Sequence, residues 1–229
     1  MAMYLGSKKV AVTNTIEKPA SMKALFDAKI KFGSSEVTSF DDIFQYSDTS
    51  DVRDMSSMFR DCFRLKSIFL FDTSNVTNMN SMFYGCYNLK TVPLFDTSKV
   101  MSMGSMFDGC SSLTTVPLFD TSNVNDMNGM FSNCSSLTTV PQFNLFNAIY
   151  MDFMFVGCPN LEEIHMININ ANLSISASTK FTREALLEII GNLKAQTSGS
   201  KKLTMGSTNL AKLTDEDKAI ATNKGWTLA

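Results

Sequence analysis

The apolar positions of this chain recur every 24 residues through its middle. One column runs Met55, Met79, Met103, Met127 and Met151; a second holds Met-Phe pairs beginning at Met58, Met82, Met106, Met130 and Met154; a third is Cys62, Cys86, Cys110, Cys134 and Cys158. Leu65, Leu89, Leu113, Leu137 and Leu161 follow, then Ile68, Val92, Val116, Val140 and Ile164, and three residues later Phe71, Phe95, Phe119 and Phe143. A fixed period of about 20 to 50 residues is the mark of stacked repeats, and a propeller blade needs about 40 or more. The period therefore points to a solenoid.

Within one unit, Met127, Met130, Phe131 and Cys134 sit at i, i+3, i+4 and i+7, which predicts one face of a short helix. Cys134 to Leu137 then turns the chain. Val116-Pro117-Leu118 reads as a very short strand, with Val and Leu inward and Pro outward by the period of two. Proline lacks an N–H, so these strands are expected to pair incompletely. Asp120-Thr121-Ser122-Asn123, echoed at Asp96 to Lys99 and Asp72 to Asn75, offers short polar side chains that bond nearby backbone; it predicts a turn and N-cap before the next helix. The expected fold class is α/β: a leucine-rich-repeat-like solenoid of five units over residues 48–166, each a short strand, a turn and a short helix, stacked on a core that no unit buries alone.

The ends do not repeat. Residues 1–47 are expected to form an N-terminal cap, with a hairpin from Tyr4-Leu5 and Lys8 to Val12, a short helix from Ser21 to Ala28 and a degenerate half-unit from Phe40 to Tyr46. Residues 167–229 read as a C-terminal cap of two helices and a strand. Leu186, Ile189, Ile190 and Leu193 face one way on a helix entered through Thr182; Lys202 to Met205 is strand-like; Thr214 to Asp217 is a capping-box start for a helix stopped by Gly225, with Trp226 packed back beneath it. The eight Lys or Arg and five Asp or Glu between residues 176 and 229 suit the polar outer face of a terminal cap.

Composition narrows function by exclusion. Apolar residues are 44%, charged residues 18% and the net charge −2, so the chain has no electrostatic grip for nucleic acid or an anionic membrane. No run approaches the ~18 apolar residues that span a bilayer, and residues 1–9 carry no signal-peptide core. Membrane insertion is not expected, and export is expected to be by a route other than an encoded N-terminal signal. The five cysteines share the inward phase and lack the short paired spacings of zinc sites; they read as buried, reduced thiols, and the methionine columns as core. A Cys158–His165 hydrolase requires adjacency, yet the two residues are expected to point in opposite directions. One carboxylate per Asp-Thr-Ser turn is thin for calcium. No catalytic residue, metal or cofactor is expected.

What remains is a surface. Phe69, Pro93, Pro117, Pro141 and His165 form an outward column beside Ser67, Thr91, Thr115, Thr139 and Glu163, on the strand side that solenoids commonly use, as a concave face, for partners. The bland alternative is that Pro blunts the strands and Thr favours extended backbone. A continuous apolar stripe is nonetheless the best contact candidate.

The runs Phe71 to Cys86 and Phe119 to Cys134 closely resemble the repeat of BspA-type leucine-rich-repeat proteins, known from mycoplasma and Gram-positive surface proteins. That resemblance spans residues 48–166. It implies a surface-exposed binding protein rather than an enzyme, though the 24-residue unit is slightly short of the family's usual 25 or 26. The flanks, Met3 to Val10 and Leu203 to Trp226, look like segments of tail-associated proteins of phages and prophages. This resemblance implies a virion or cell-surface location and a recognition role toward a host-surface protein or glycan, with other virion proteins as further partners. The competing expectation is a rigid structural spacer within a tail or surface assembly.

Overall fold

The computed structural model describes residues 2–5, 8–11, 49–197 and 200–229. Strands β1 (Ala2–Leu5) and β2 (Lys8–Ala11) pair antiparallel with Met3 opposite Val10 and Tyr4 opposite Lys9, the expected hairpin. The helix expected from Ser21 to Ala28 and the half-unit from Phe40 to Tyr46 lie outside the described residues.

The return segment of each unit, expected to be helical, is instead a ladder of turns. Its N–H groups alternate between two kinds of partner. Met58, Arg60 and Cys62 donate to the carbonyls of Met55, Ser57 and Phe59 three residues back, whereas Met55, Ser57, Phe59 and Asp61 donate to Asn78, Asn80, Met82 and Tyr84 of the next coil at 2.7–2.9 Å. The same four-bond junction is repeated from Met79, Ser81, Phe83 and Gly85, from Met103, Ser105, Phe107 and Gly109, and from Met127, Gly129, Phe131 and Asn133. The alternation requires positive φ at every fourth residue: Ser57 and Asp61, Ser81 and Gly85, Ser105 and Gly109, Gly129 and Asn133, Phe153 and Gly157, at 51–78°. A right-handed helix admits no such residues, and it would keep its N–H groups to itself. The apolar spacing nevertheless identifies the buried face, because Met127, Met130, Phe131 and Cys134 are fully buried.

On the opposite side of each coil the chain is extended but rarely paired. Among the described residues of the solenoid only β3 (Thr139–Val140) and β4 (Glu163–Ile164) form a ladder of more than one residue pair there, parallel, with Thr139 opposite Glu163. His165 shows why: its N–H donates to Val140 O at 3.0 Å, and the equivalent positions in the three preceding coils are Pro93, Pro117 and Pro141, which have no N–H to give. The inward direction expected for Leu118 is overturned. Phe119 N–H bonds Pro117 O at 2.9 Å, a three-residue γ-turn centred on Leu118. That turn breaks the alternation, so Val116 and Phe119 are buried and Leu118 is swung into solvent.

Between the two sides, aromatic columns run the length of the solenoid. Phe59, Phe83, Phe107, Phe131 and Phe155 stack with centroids 5.4–5.9 Å apart, and Phe71, Phe95, Phe119 and Phe143 form a second column. Offset ring pairs of this kind add about 0.5–1.5 kcal/mol each beyond area burial. The buried hydroxyls of Thr49, Thr73, Thr97 and Thr121 donate to the carbonyls of Asp72, Asp96, Asp120 and Asn144 in the following coil, which holds the corners in register.

After residue 172 the chain leaves the ladder. Strands β5 (Leu173–Ser174), β6 (Lys201–Thr204) and β7 (Trp226–Leu228) form a parallel sheet in that order, packed with helices α1 (Arg183–Gly191), α2 (Ser207–Leu210) and α3 (Asp215–Asn223). Thr182 caps α1, accepting from Ala185 N–H, and Thr214 and Asp217 form the expected capping box of α3. Asp217 also takes a bidentate pair from Arg183 at 2.7 and 2.8 Å, joining α1 to α3; that guanidinium is the first cause holding its carboxyl below the usual range. Trp226 is buried and donates its indole N–H to Lys194 O. The expectation of two helices and one strand is thus corrected: α2, β5 and β7 are added, elements of four, two and three residues that are too short to leave a period in sequence. No helix among the described residues is long and apolar enough to cross a membrane.

Candidate functional site

The expected contact column lies where alternation puts it, outward on the strand side. Thr91, Thr115 and Glu163 are exposed, and Pro93, Pro117, Thr139, Pro141 and His165 are half-buried. Phe69 is drawn further in: it packs against the core edge-on to Phe71, with centroids 6.2 Å apart. At the C-terminal end Glu163, His165 and Glu188 of α1 come together, with His165 Nδ1 2.8 Å from Glu188 and Nε2 3.5 Å from Glu163. The hydrogen bond with Glu188 is the main reason the imidazole pKa is raised. This end of the column fastens the solenoid to α1.

Sequence reasoning missed the most exposed apolar residues of the face. Leu70, Leu94 and Leu118 show 59, 58 and 58% of their surface to solvent, one per coil, each directly after Phe69, Pro93 or Pro117. The signal was present, since these leucines keep the 24-residue spacing, but the period of two assigned them inward. Each of these three coils thus contributes an exposed Leu, a half-buried ring and the hydroxyl of Ser67, Thr91 or Thr115. Apolar surface at regular intervals between hydroxyls suits a ridge of side chains on another protein, or the C–H face of a sugar.

The nucleophile reading fails on geometry. All five cysteines are buried, and four donate from Sγ to a phenylalanine carbonyl one coil earlier: Cys86 to Phe59, Cys110 to Phe83, Cys134 to Phe107 and Cys158 to Phe131, at 2.9–3.2 Å. They are therefore inter-coil hydrogen-bond donors as well as small apolar fillers. Burial pushes the Cys158 thiol up to about 12 and raises those of Cys110 and Cys134; Cys86 is raised first by its hydrogen bond with the Cys62 side chain and then by burial. A thiol with so little thiolate is unreactive. Colorimetric thiol titration of the native protein at neutral pH is expected to label essentially none of the five, and denaturant to release all of them; rapid native labelling would contradict this packing.

The Asp-Thr-Ser turns close on themselves. Asp72, Asp96 and Asp120 each accept the N–H of the serine two residues on, and these Ser98 contacts hold the Asp96 carboxyl low. Among the described residues no group of His, Cys, Asp and Glu is placed to hold a metal ion.

Residues 11–110 and 88–184 match a protein family described as "Mycoplasma protein of unknown function, DUF285". No curated protein matches the chain. Among solved structures, the crystal structure of the T. pallidum leucine rich repeat protein is similar at 17% identity over 78% of this chain and 79% of that one, with a TM-score of 0.49.

Proposed function

Starting from a chain that belongs to the DUF285 family of mycoplasma proteins of unknown function, we propose a non-enzymatic recognition module that binds through the strand side of its solenoid. Its repeats are BspA-like leucine-rich repeats. The observation that carries the reading is the ladder Leu70, Leu94 and Leu118, exposed beside Pro93, Pro117 and Pro141. Aligned apolar side chains left in water across three coils gain from a partner about 1.5–3 kcal/mol for each one fully covered. A host-surface protein or glycan is the proposed ligand, and the resemblance of the flanks to tail-associated proteins is what suggests a virion or cell surface as the setting.

The test is binding of the labelled protein to intact host cells. Replacing Leu94 and Leu118 by Asp, or Pro117 and Pro141 by Lys, is expected to weaken binding about tenfold or more, because a hydrated charge replaces a surface that gains by losing water. Asn125→Lys, at an exposed position on the opposite side, is the control and should bind as wild type, with circular dichroism unchanged throughout. Equal binding by all variants would overturn the strand-side assignment and favour the spacer reading.

A further inference from the structure

One corner of the solenoid departs from the repeat. Where earlier coils carry Ser74, Ser98 and Ser122 the last carries Phe146, and where they carry Thr77, Met101 and Asn125 it carries Ile149. Both are exposed, at 52 and 65%, and stand outside the core, which at this corner is made by Phe143, Leu145 and Ala148. Phe146 and Ile149 line a cavity of about 540 Å³ where the solenoid meets the C-terminal cap, together with Asn147, Asn170, Asn172 and Lys201. That volume lies within the roughly 300–1,000 Å³ typical of small-molecule sites.

Hydrogen bonding within the protein engages the acceptors of this cavity and leaves its donors. Asn170 receives Lys201 Nζ on both its backbone carbonyl and its Oδ1, and Asn172 Oδ1 accepts the N–H of Lys202 at 2.8 Å. Each of these amides keeps an Nδ2 group with no partner among the described residues, and the Lys201 ammonium keeps one of its three protons. Lys194 Nζ stands 4.2 Å from the centroid of the Phe146 ring. Among the described residues no carboxylate lies within ion-pair distance of Lys194 or Lys201. The Lys201 ammonium is instead held below its usual pKa, first by desolvation and then by the charge of Lys194. The exception among the amides is Asn147, whose Nδ2 donates to Ser122 O and whose Oδ1 remains as an acceptor.

We propose that this cavity binds a sugar bearing a carboxylate. Lys201, Lys194 and the Nδ2 groups of Asn170 and Asn172 receive the carboxylate, which can accept about four hydrogen bonds; the C–H face of the ring lies on Phe146 and Ile149; a sugar hydroxyl donates to Asn147 Oδ1. A neutral sugar would leave two partly desolvated cations without a counter-charge. A small inorganic anion would leave Phe146 and Ile149 in water. The site uses none of the residues of the Leu70–Leu118 face, so it stands whether or not that face binds a partner.

Isothermal titration calorimetry of the full chain tests this, with glucuronic acid and N-acetylneuraminic acid as probes of the two commonest sugar carboxylates and glucose and acetate as the half-matched controls. Saturable binding of at least one sugar acid is expected, with glucose and acetate about tenfold weaker or more, as loss of charge-assisted hydrogen bonds or of the ring contact implies. Phe146→Ser, which restores the residue of the preceding coils, and Lys201→Gln should each weaken binding about tenfold by the same reasoning. Because Lys201 also holds Asn170, Lys194→Gln is the second variant should Lys201→Gln fail to fold. The Leu94, Leu118 double Asp variant should bind the sugar acid as wild type does, which separates this site from the strand-side reading. No saturable binding of either acid, equal binding of glucose, or unchanged affinity in Phe146→Ser and the folded lysine variant would each overturn the proposal.

Discussion

Phe107→Ala is expected to lower stability by about 3–5 kcal/mol, the cost of a large-to-small change in a core that cannot collapse around the hole. Phe107 has no solvent exposure and stacks on Phe83 at 5.7 Å and Phe131 at 5.8 Å, with Phe119 at 6.4 Å. Its backbone is also tied twice to the following coil: the N–H donates to Met130, and the carbonyl receives the Cys134 thiol together with Cys110 N–H of its own coil. Relaxing the coil into the void would pull on that junction, so little of the cost is recovered. Urea unfolding followed by circular dichroism measures it. An unchanged midpoint would mean that the phenylalanine columns are not the core.

Gly157→Ala is expected to cost about 2 kcal/mol or more through a different mechanism, backbone strain. Gly157 has φ +72°, and a Cβ there would lie 2.6 Å from Asn133 Oδ1 and 3.1 Å from Asn133 Cα. The second neighbour is backbone and cannot swing away. Relief would have to come from the junction itself, where Asn133 N–H bonds Val156 O at 2.6 Å. Gly191 is the control, since a Cβ there meets nothing within 4 Å at the end of α1; Gly191→Ala should be neutral or stabilise by up to about 1 kcal/mol. Similar losses from the two substitutions, read as unfolding midpoints, would refute the turn-ladder geometry.

These two glycines show what the sequence could and could not convey. The burial of Met127, Met130, Phe131 and Cys134 was legible, because any chain that turns once in about four residues places i, i+3, i+4 and i+7 on one side. Over eight residues that spacing does not separate a helix from a string of turns. The discriminating signal lay in the polar positions, where Ser81 and Gly85, Ser105 and Gly109, and Gly129 and Asn133 stand four apart, residues that tolerate positive φ. On the strand side the prolines identified the face and explained its poor pairing, yet Pro117 also set the γ-turn that turned Leu118 outward, a local event invisible to a period of two. The caps that begin at Thr182 and Thr214 were readable because a cap is a side-chain-to-backbone contact three residues long. β5 and β7 were not, since they exist only through partners distant in sequence.

The junctions carry one more consequence, a mechanical one. Their hydrogen bonds run from coil to coil, along the stacking direction rather than around it. Tension applied along that direction loads the junctions in series; all share the four turn-ladder bonds and the last adds the β3–β4 pairing, so the earlier junctions are the weaker ones and resemble one another in strength. Such an object yields one coil at a time, each rupture releasing 24 residues, roughly 80 Å of extended chain, while the coils still stacked hold their shape. A solenoid built this way can lengthen under drag and shorten again without surrendering its whole fold, as a shock-absorbing tether does.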